Sequence, residues 1–215
     1  DSRVTGPALV EALLKGISYA GAKVVNCEMA TTPAMFMTIV FDETKFDGSA
    51  MVTASHLPFN RNGIKFFDKD GGLEHDITDI LKIAETVSEN EVADAGKQSR
   101  EIANFDLISK YADYLKNKIA EGLGANLEKG EKPLENLHIV VDSGNGASGF
   151  FVDKILQPLG ADTTGSQFLD PDGMFPNHIP NPENKAAMES IRNAVLKNKA
   201  DLGLIFDTDV DRMSA

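Results

Sequence analysis

The sequence predicts an α/β fold: two consecutive three-layer α/β/α domains with mostly parallel mixed sheets, over residues 1–104 and 105–215. Three observations carry that expectation. Segments with helical apolar spacing alternate with short apolar runs, the pattern of strands joined by crossover helices. "LGLIF" is apolar without alternation, as a strand covered on both faces should be. Between the two halves lies "NEVADAGKQSREIAN", polar and weakly periodic, which reads as a loop region near a domain boundary.

Taken in order, "TGPALVEALLKGISYAG" reads as a helix capped by Thr5, with Pro7 in the first turn and Gly21 as the stop. Leu9, Leu13, Ile17 and Ala20 share one face of it. "AKVVNCE" follows as a strand, "TPAMFMTIVFDETK" as a helix, "GSAMVTA" as a buried strand and "GIKFF" as another short strand. "LEHDITDILKIAETVSEN" returns to helix, and the amphipathic "FDLISKYADYLKNKIAEGL" opens the second unit. "LHIVVDSGNGASGFFVDKILQPLG" reads as strand, glycine turn and helix, and "AAMESIRNAVLKNKADLGLIFD" as helix then strand.

Composition narrows the function. A net charge of −12 over 215 residues lacks the basic footprint of nucleic-acid binding and disfavours an anionic membrane surface. Anionic ligands must then be held by a few placed cations against the overall field. Cys27 stands alone, so no disulfide framework is expected and a reducing compartment is. No apolar run approaches the ~18 residues of a membrane span, and "DSRVTGPALV" lacks a signal-peptide pattern. A cytoplasmic setting is expected.

Two stretches carry chemistry. After "LGLIF" the chain delivers Asp207, Asp209 and Asp211 at alternate positions, with Arg212 beside them. Ligands of α/β sheets gather beyond the carboxyl ends of strands, where this loop lies. Extended, these carboxylates would sit about 6.6 Å apart. Holding Mg²⁺ at about 2.0–2.1 Å requires the backbone to curl. Without a cation the loop is costly, since like charges at ~4 Å repel by about 4 kcal/mol at an effective dielectric of ~20. A solvated acidic turn is the plain alternative. An EF-hand is excluded because its sixth position needs glycine and holds Arg212. "LGLIFDTDV" also fits the haloacid-dehalogenase phosphatase signature, with Asp207 as nucleophile and Asp209 as acid/base, although that family's later serine or threonine, lysine and acidic pair do not follow.

The other stretch is "TASHLPFNRNGIK". Adjacent residues in an extended segment point to opposite sides, so His56 is expected to be a poor base for Ser55. No G-x-S-x-G elbow surrounds the serine, which removes the serine-hydrolase reading. "SGNGASG" could cradle phosphate or form a tight strand-to-helix turn. His178 in "FPNHIPNP" could touch a ligand or stiffen a loop.

Together, "TASHLPFNRNGIK" and "DTDVDR" closely resemble the phosphohexomutase superfamily, whose serine loop commonly reads T-A-S-H-N-P with N-G-x-K following and whose metal loop reads D-G-D-x-D-R. "DSR" resembles the tail of its G-R-D-S-R segment. "VVDSGNGASG" and "DPDGMFPNHIPNPEN" resemble its second domain, so the likeness spans nearly the whole chain in order. Leu57, Thr208 and Val210 depart from the common pattern.

The resemblance implies a hexose-phosphate mutase in which Ser55 is the phosphoserine, with one Mg²⁺ held by Ser55, Asp207, Asp209 and Asp211. It further implies Lys65 for proton transfer or charge stabilisation, Arg212 and Arg3 as cations facing substrate, and His56 supporting the loop or contacting phosphate. A phosphorylated hexose is the expected substrate and a hexose 1,6-bisphosphate the activator. The chain is then expected to be a fragment, lacking the C-terminal domains and inactive as a mutase alone. A non-catalytic phosphosugar-binding module is the alternative from another class.

Overall fold

The computed structural model describes residues 1–72, 77–89 and 102–215. Most of the segment expected to be an interdomain loop lies outside the described residues. Helix α1 (Gly6–Tyr19) carries Pro7 in its first turn and ends before Gly21, whose φ of 95° suits a residue without Cβ. Thr5 makes no side-chain capping bond, contrary to expectation; its hydroxyl instead accepts from Asn62 Nδ2 at 3.1 Å.

Strand β1 (Val25–Asn26) leads to α2 (Thr32–Met37), where Thr31 Oγ1 accepts from Ala34 N. The helix expected to reach Lys45 stops at Met37. Thr38 Oγ1 bonds back to Met35 O, and the β-branched run Thr38–Ile39–Val40 leaves in successive turns. Strands β2 (Gly48–Val52) and β3 (Ile64–Asp68) pair antiparallel, and β4 (Gly71–Gly72) extends that sheet. The pairing is antiparallel here, not parallel, because no crossover helix separates β2 from β3. Helix α3 (Ile77–Glu89) occupies much of the predicted helical stretch.

Strand β5 (Ala103–Asn104) runs parallel to β1, and α4 (Leu107–Gly122) follows, with Asp106 accepting from Ser109 N. Strand β6 (Ile139–Asp142), a π-helical segment (Phe151–Leu156) and α5 (Lys185–Asn198) lead to β7 (Leu202–Phe206). β7 lies parallel to β6 and antiparallel to β8 (Met213–Ser214).

The second half has three layers. Ile139, Val141 and Phe206 face the π-helical segment and α4, packing with Ile155, Leu156 and Leu159. Val140 and Ile205 face α5 through Ala187, Ile191 and Ala194. A third cluster docks α2 on α4 through Cys27, Ala30, Ala34, Phe41, Leu107 and Tyr111. Ile155 is fully buried at the centre of the first cluster. Ile155→Ala should therefore lower stability by about 2–5 kcal/mol, read as a lower urea midpoint with an unchanged slope.

Candidate active site

The core places both motifs at one point. Lys65 stands opposite Met51 in the β2–β3 ladder, and Thr53 N donates to Gly63 O at 3.0 Å, closing the hairpin just before Ser55. Ser55 has φ 52°, a left-handed conformation uncommon for serine. Its N–H donates to Thr53 Oγ1 at 2.9 Å, and Leu57 N donates to Ala54 O at 3.0 Å. This tight turn brings the Ser55 and His56 side chains to the same side, with Oγ and Nδ1 at 3.4 Å. The expectation that they point apart was wrong because the backbone here is not extended.

The acidic loop leaves the carboxyl end of β7 and curls as the metal argument requires. Val210 N donates to Asp207 O at 3.2 Å, Arg212 N donates to Asp207 Oδ1 at 3.0 Å, and Asp207 N donates to Arg212 O at 3.1 Å. Val210 carries the strain, with φ 67° on a β-branched residue. Across the gap, Ser55 Oγ lies 3.2 Å from Asp207 Oδ2 and accepts from Arg212 at 2.8 Å. Lys65 Nζ donates to Asp209 Oδ2 and Asp211 Oδ2, each at 2.7 Å. Arg212 also contacts His56 Nδ1.

Two further residues pin the loop from outside the predicted set. Thr32 donates from its hydroxyl to Asp209 Oδ2 at 2.5 Å and from its N–H to Asp209 O at 2.8 Å. The "TTP" signature of a helix start was the only sequence sign of it. Glu183 lies 3.6 Å from Arg212 and had none. "SGNGASG" resolves as a strand-to-helix turn stitched to the acidic loop: Ala147 N donates to Thr208 O at 2.9 Å, and a Cβ on Gly146 would come within 2.9 Å of that oxygen. His178 holds Asp142 at 2.9 Å.

Arg3 departs from the expected placement. It is 1% exposed, paired with Asp1, and donates to Ser55 O at 2.5 Å and Leu57 O at 2.7 Å. With its charge engaged by the protein, it holds the serine turn from behind and does not line a substrate surface.

The electrostatics follow from burial. Loss of water and the neighbouring Asp209 carboxylate push Asp207 up to about 7. Burial would raise Asp209 too, but hydrogen bonds from Lys65 and Thr32 outweigh it and hold that carboxyl below the ordinary range. Burial opposes the charge on Lys65, yet its bonds to Asp209 and Asp211 prevail and raise it. The residues fit a divalent cation. Oxygens of Asp207, Asp209 and Asp211 lie within 4.8 Å of one another, and buried Asp209 Oδ1 has no hydrogen-bond partner among the described residues.

Both halves of the chain match family models of known proteins. Residues 1–93 match the model of phosphoglucomutase/phosphomannomutase α/β/α domain I, and residues 109–215 match that of domain II. The chain belongs to the phosphohexomutase superfamily. It is 32% identical over 215 residues to a phosphoglucomutase of Neisseria meningitidis and 35% identical over 223 residues to a phosphomannomutase of Salmonella montevideo. Each alignment covers 99% of this chain but only 42% and 45% of those relatives, so the chain spans under half their length. A crystal structure of a phosphoglucomutase/phosphomannomutase family protein from Burkholderia thailandensis superposes with a TM-score of 0.75 at 26% identity, covering 99% of this chain and 44% of that one. Both motifs thus fall within one family of mutases, and the haloacid-dehalogenase reading of Asp207 loses its support.

Proposed function

We propose that this chain is the phosphoserine- and metal-bearing part of a hexose-phosphate mutase. The mutase would move a phosphoryl group between the C1 and C6 oxygens of a sugar through Ser55 and a bisphosphate intermediate. The observation that carries this reading is the 3.2 Å approach of Ser55 Oγ to Asp207 Oδ2, with Arg212 2.8 Å from the same hydroxyl. Residues 1–104 and 105–215 are read as its two domains, a division supported by the β1–β5 pairing and by α4 opening at Leu107.

Phosphoryl transfer depends on positioning and charge neutralisation. A phosphate on Ser55 would add about −1.5 to −2 to three carboxylates, offset locally by Lys65 and Arg212. Asp207, Asp209 and Asp211 would hold Mg²⁺, whose chemistry when bound is to neutralise charge and improve the serine oxygen as a leaving group. Arg212 donates to that oxygen and orients the phosphoryl group. Lys65, freed from the carboxylates, would hold or accept the proton of the attacked sugar hydroxyl. His56, beside Ser55 and Arg212, would stabilise phosphoryl oxygens. The sugar's distal end would be held by the part of the relatives' length outside this chain. A hexose 1,6-bisphosphate would prime Ser55. No described helix is long and apolar enough to cross a membrane, and a cytoplasmic setting is proposed.

Adding Mg²⁺ at about a hundredfold over its dissociation constant should stabilise the fold by about 2.7 kcal/mol. For a chain of this size that is a thermal midpoint about 5–10 °C higher. Asp209→Asn should remove most of the increase. An equal magnesium response in the variant would place the metal elsewhere.

A further inference from the structure

The segment Asp170–Pro180 touches both halves of the site without contributing a group to the chemistry. On one side it is fixed to the second domain. Asp172 N donates to Asn145 O at 3.0 Å, Asn177 Nδ2 donates to Asn145 Oδ1 at 2.7 Å, and His178 Nε2 pairs with Asp142 Oδ1 at 2.9 Å. Asp142 closes β6 and lies opposite Ile205 of β7, the strand that delivers the acidic loop. On the other side the segment grips the start of the first domain. A Cβ on Gly173 would fall 2.3 Å from Ser2 O and 2.7 Å from Arg3 Cα, so only glycine allows this approach. Phe175, held at φ 50°, sets its ring 5.5 Å from the Arg3 guanidinium.

We propose that this loop is a positioning strap: Gly173 and Phe175 fix Arg3, and Arg3 fixes the Ser55 turn through the carbonyls of Ser55 and Leu57. The inference rests on the mutase reading for its purpose, because a displacement of about 1 Å at the transferring oxygen can cost about a hundredfold in rate. The mechanical claim stands on geometry alone. A left-handed φ on an aromatic residue costs free energy and persists only where surrounding contacts impose it. Here those contacts are the Phe175 N to Asp172 O turn at 3.0 Å and the stacking on Arg3. Phe175 is therefore a positioning residue, acting on Ser55 through Arg3.

Hydrogen exchange read by mass spectrometry on the full 215-residue chain tests the strap. Phe175→Ala should speed exchange of the peptide spanning Thr53–Leu57 about tenfold, the loss expected of one cation–π contact. Exchange in β6 and β7, and the affinity for Mg²⁺, should stay within about twofold. Phe175→Tyr, which keeps the ring, should restore the slow exchange. Gly173→Ala should mimic Phe175→Ala by displacing Ser2–Val4. Unchanged exchange at Thr53–Leu57 in both disruptive variants overturns the strap, as does an equal rise in β6, which would mean general loosening. Phosphate uptake by wild-type Ser55 from glucose 1,6-bisphosphate is followed in parallel. Faster exchange in Phe175→Ala with no uptake in the wild type would sink the mutase reading and leave the strap intact; uptake without the exchange change would do the reverse.

Discussion

Ser55→Ala protein incubated with glucose 1,6-bisphosphate should carry no covalent phosphate by intact mass, while the wild-type chain gains the mass of one. The effect is all or none because the Ser55 hydroxyl lies between Arg212, which donates to it at 2.8 Å, and Asp207 at 3.2 Å, whereas the Thr32 hydroxyl, which also meets the acidic loop, is buried and committed to Asp209 at 2.5 Å. Thr53, the nearest other hydroxyl in the turn, is buried, with its Oγ1 donating to Asp1 at 2.7 Å and accepting from Ser55 N. The fold should tolerate the change. The serine oxygen does not belong to the apolar clusters, and its polar contacts with Arg212, Asp207 and His56 contribute about 0.5–1.5 kcal/mol apiece. The turn is held by backbone and by Arg3, none of which alanine alters. Phosphate found on the variant would move the acceptor to another residue and end the phosphoserine reading.

The side chains of the candidate site were legible because their signals are local. An apolar strand running into D-x-D-x-D with arginine behind it states both a location and a charge problem, and the structure places Asp207, Asp209 and Asp211 together as expected. The serine turn and Lys65 were legible through the same kind of short motif. That the two motifs meet, although Ser55 and Asp207 are 152 residues apart in sequence, was expected only through the family resemblance that puts both on one ion; no local signal carries it. Backbone conformation was equally hidden. Nothing in "TASH" announces φ 52° at Ser55, and it was this angle that turned His56 toward the serine. Arg3 was misplaced for a related reason: a motif names a cation but not what will surround it, and burial beside Asp1 and two carbonyls commits it to the protein. The early end of α2 and the antiparallel β2–β3 pair show local turn chemistry and chain connectivity overriding a reasonable apolar pattern.

Lys65→Met should make the chain less stable without magnesium and tighter binding with it. Lys65 Nζ lies 2.7 Å from both Asp209 and Asp211, so its ammonium stands where positive charge is most needed. Removing it leaves Asp209, whose side chain is fully buried, without an ionic partner. Breaking a fully buried pair costs about 3–5 kcal/mol. The Lys65 side chain is 32% exposed, so water screens part of this, and a loss of about 1–3 kcal/mol is expected. For magnesium the sign reverses. The ammonium both repels a dication and occupies the oxygens that would bind it. Even a modest part of that repulsion, at an effective dielectric of about 20, is worth about 1.4–2.7 kcal/mol, a ten- to hundredfold gain in affinity. Titration calorimetry with MgCl₂ reads the affinity, and thermal melts with and without magnesium read the stability. Weaker magnesium binding in Lys65→Met would show that the lysine supports the metal loop instead of competing for it. Its assignment as the group that releases the carboxylates to meet the sugar hydroxyl would then fall. Stronger binding, together with loss of phosphoryl transfer once the rest of the protein is present, would give Lys65 both roles: a stand-in for the ion at rest, and the proton-handling group when the site is loaded.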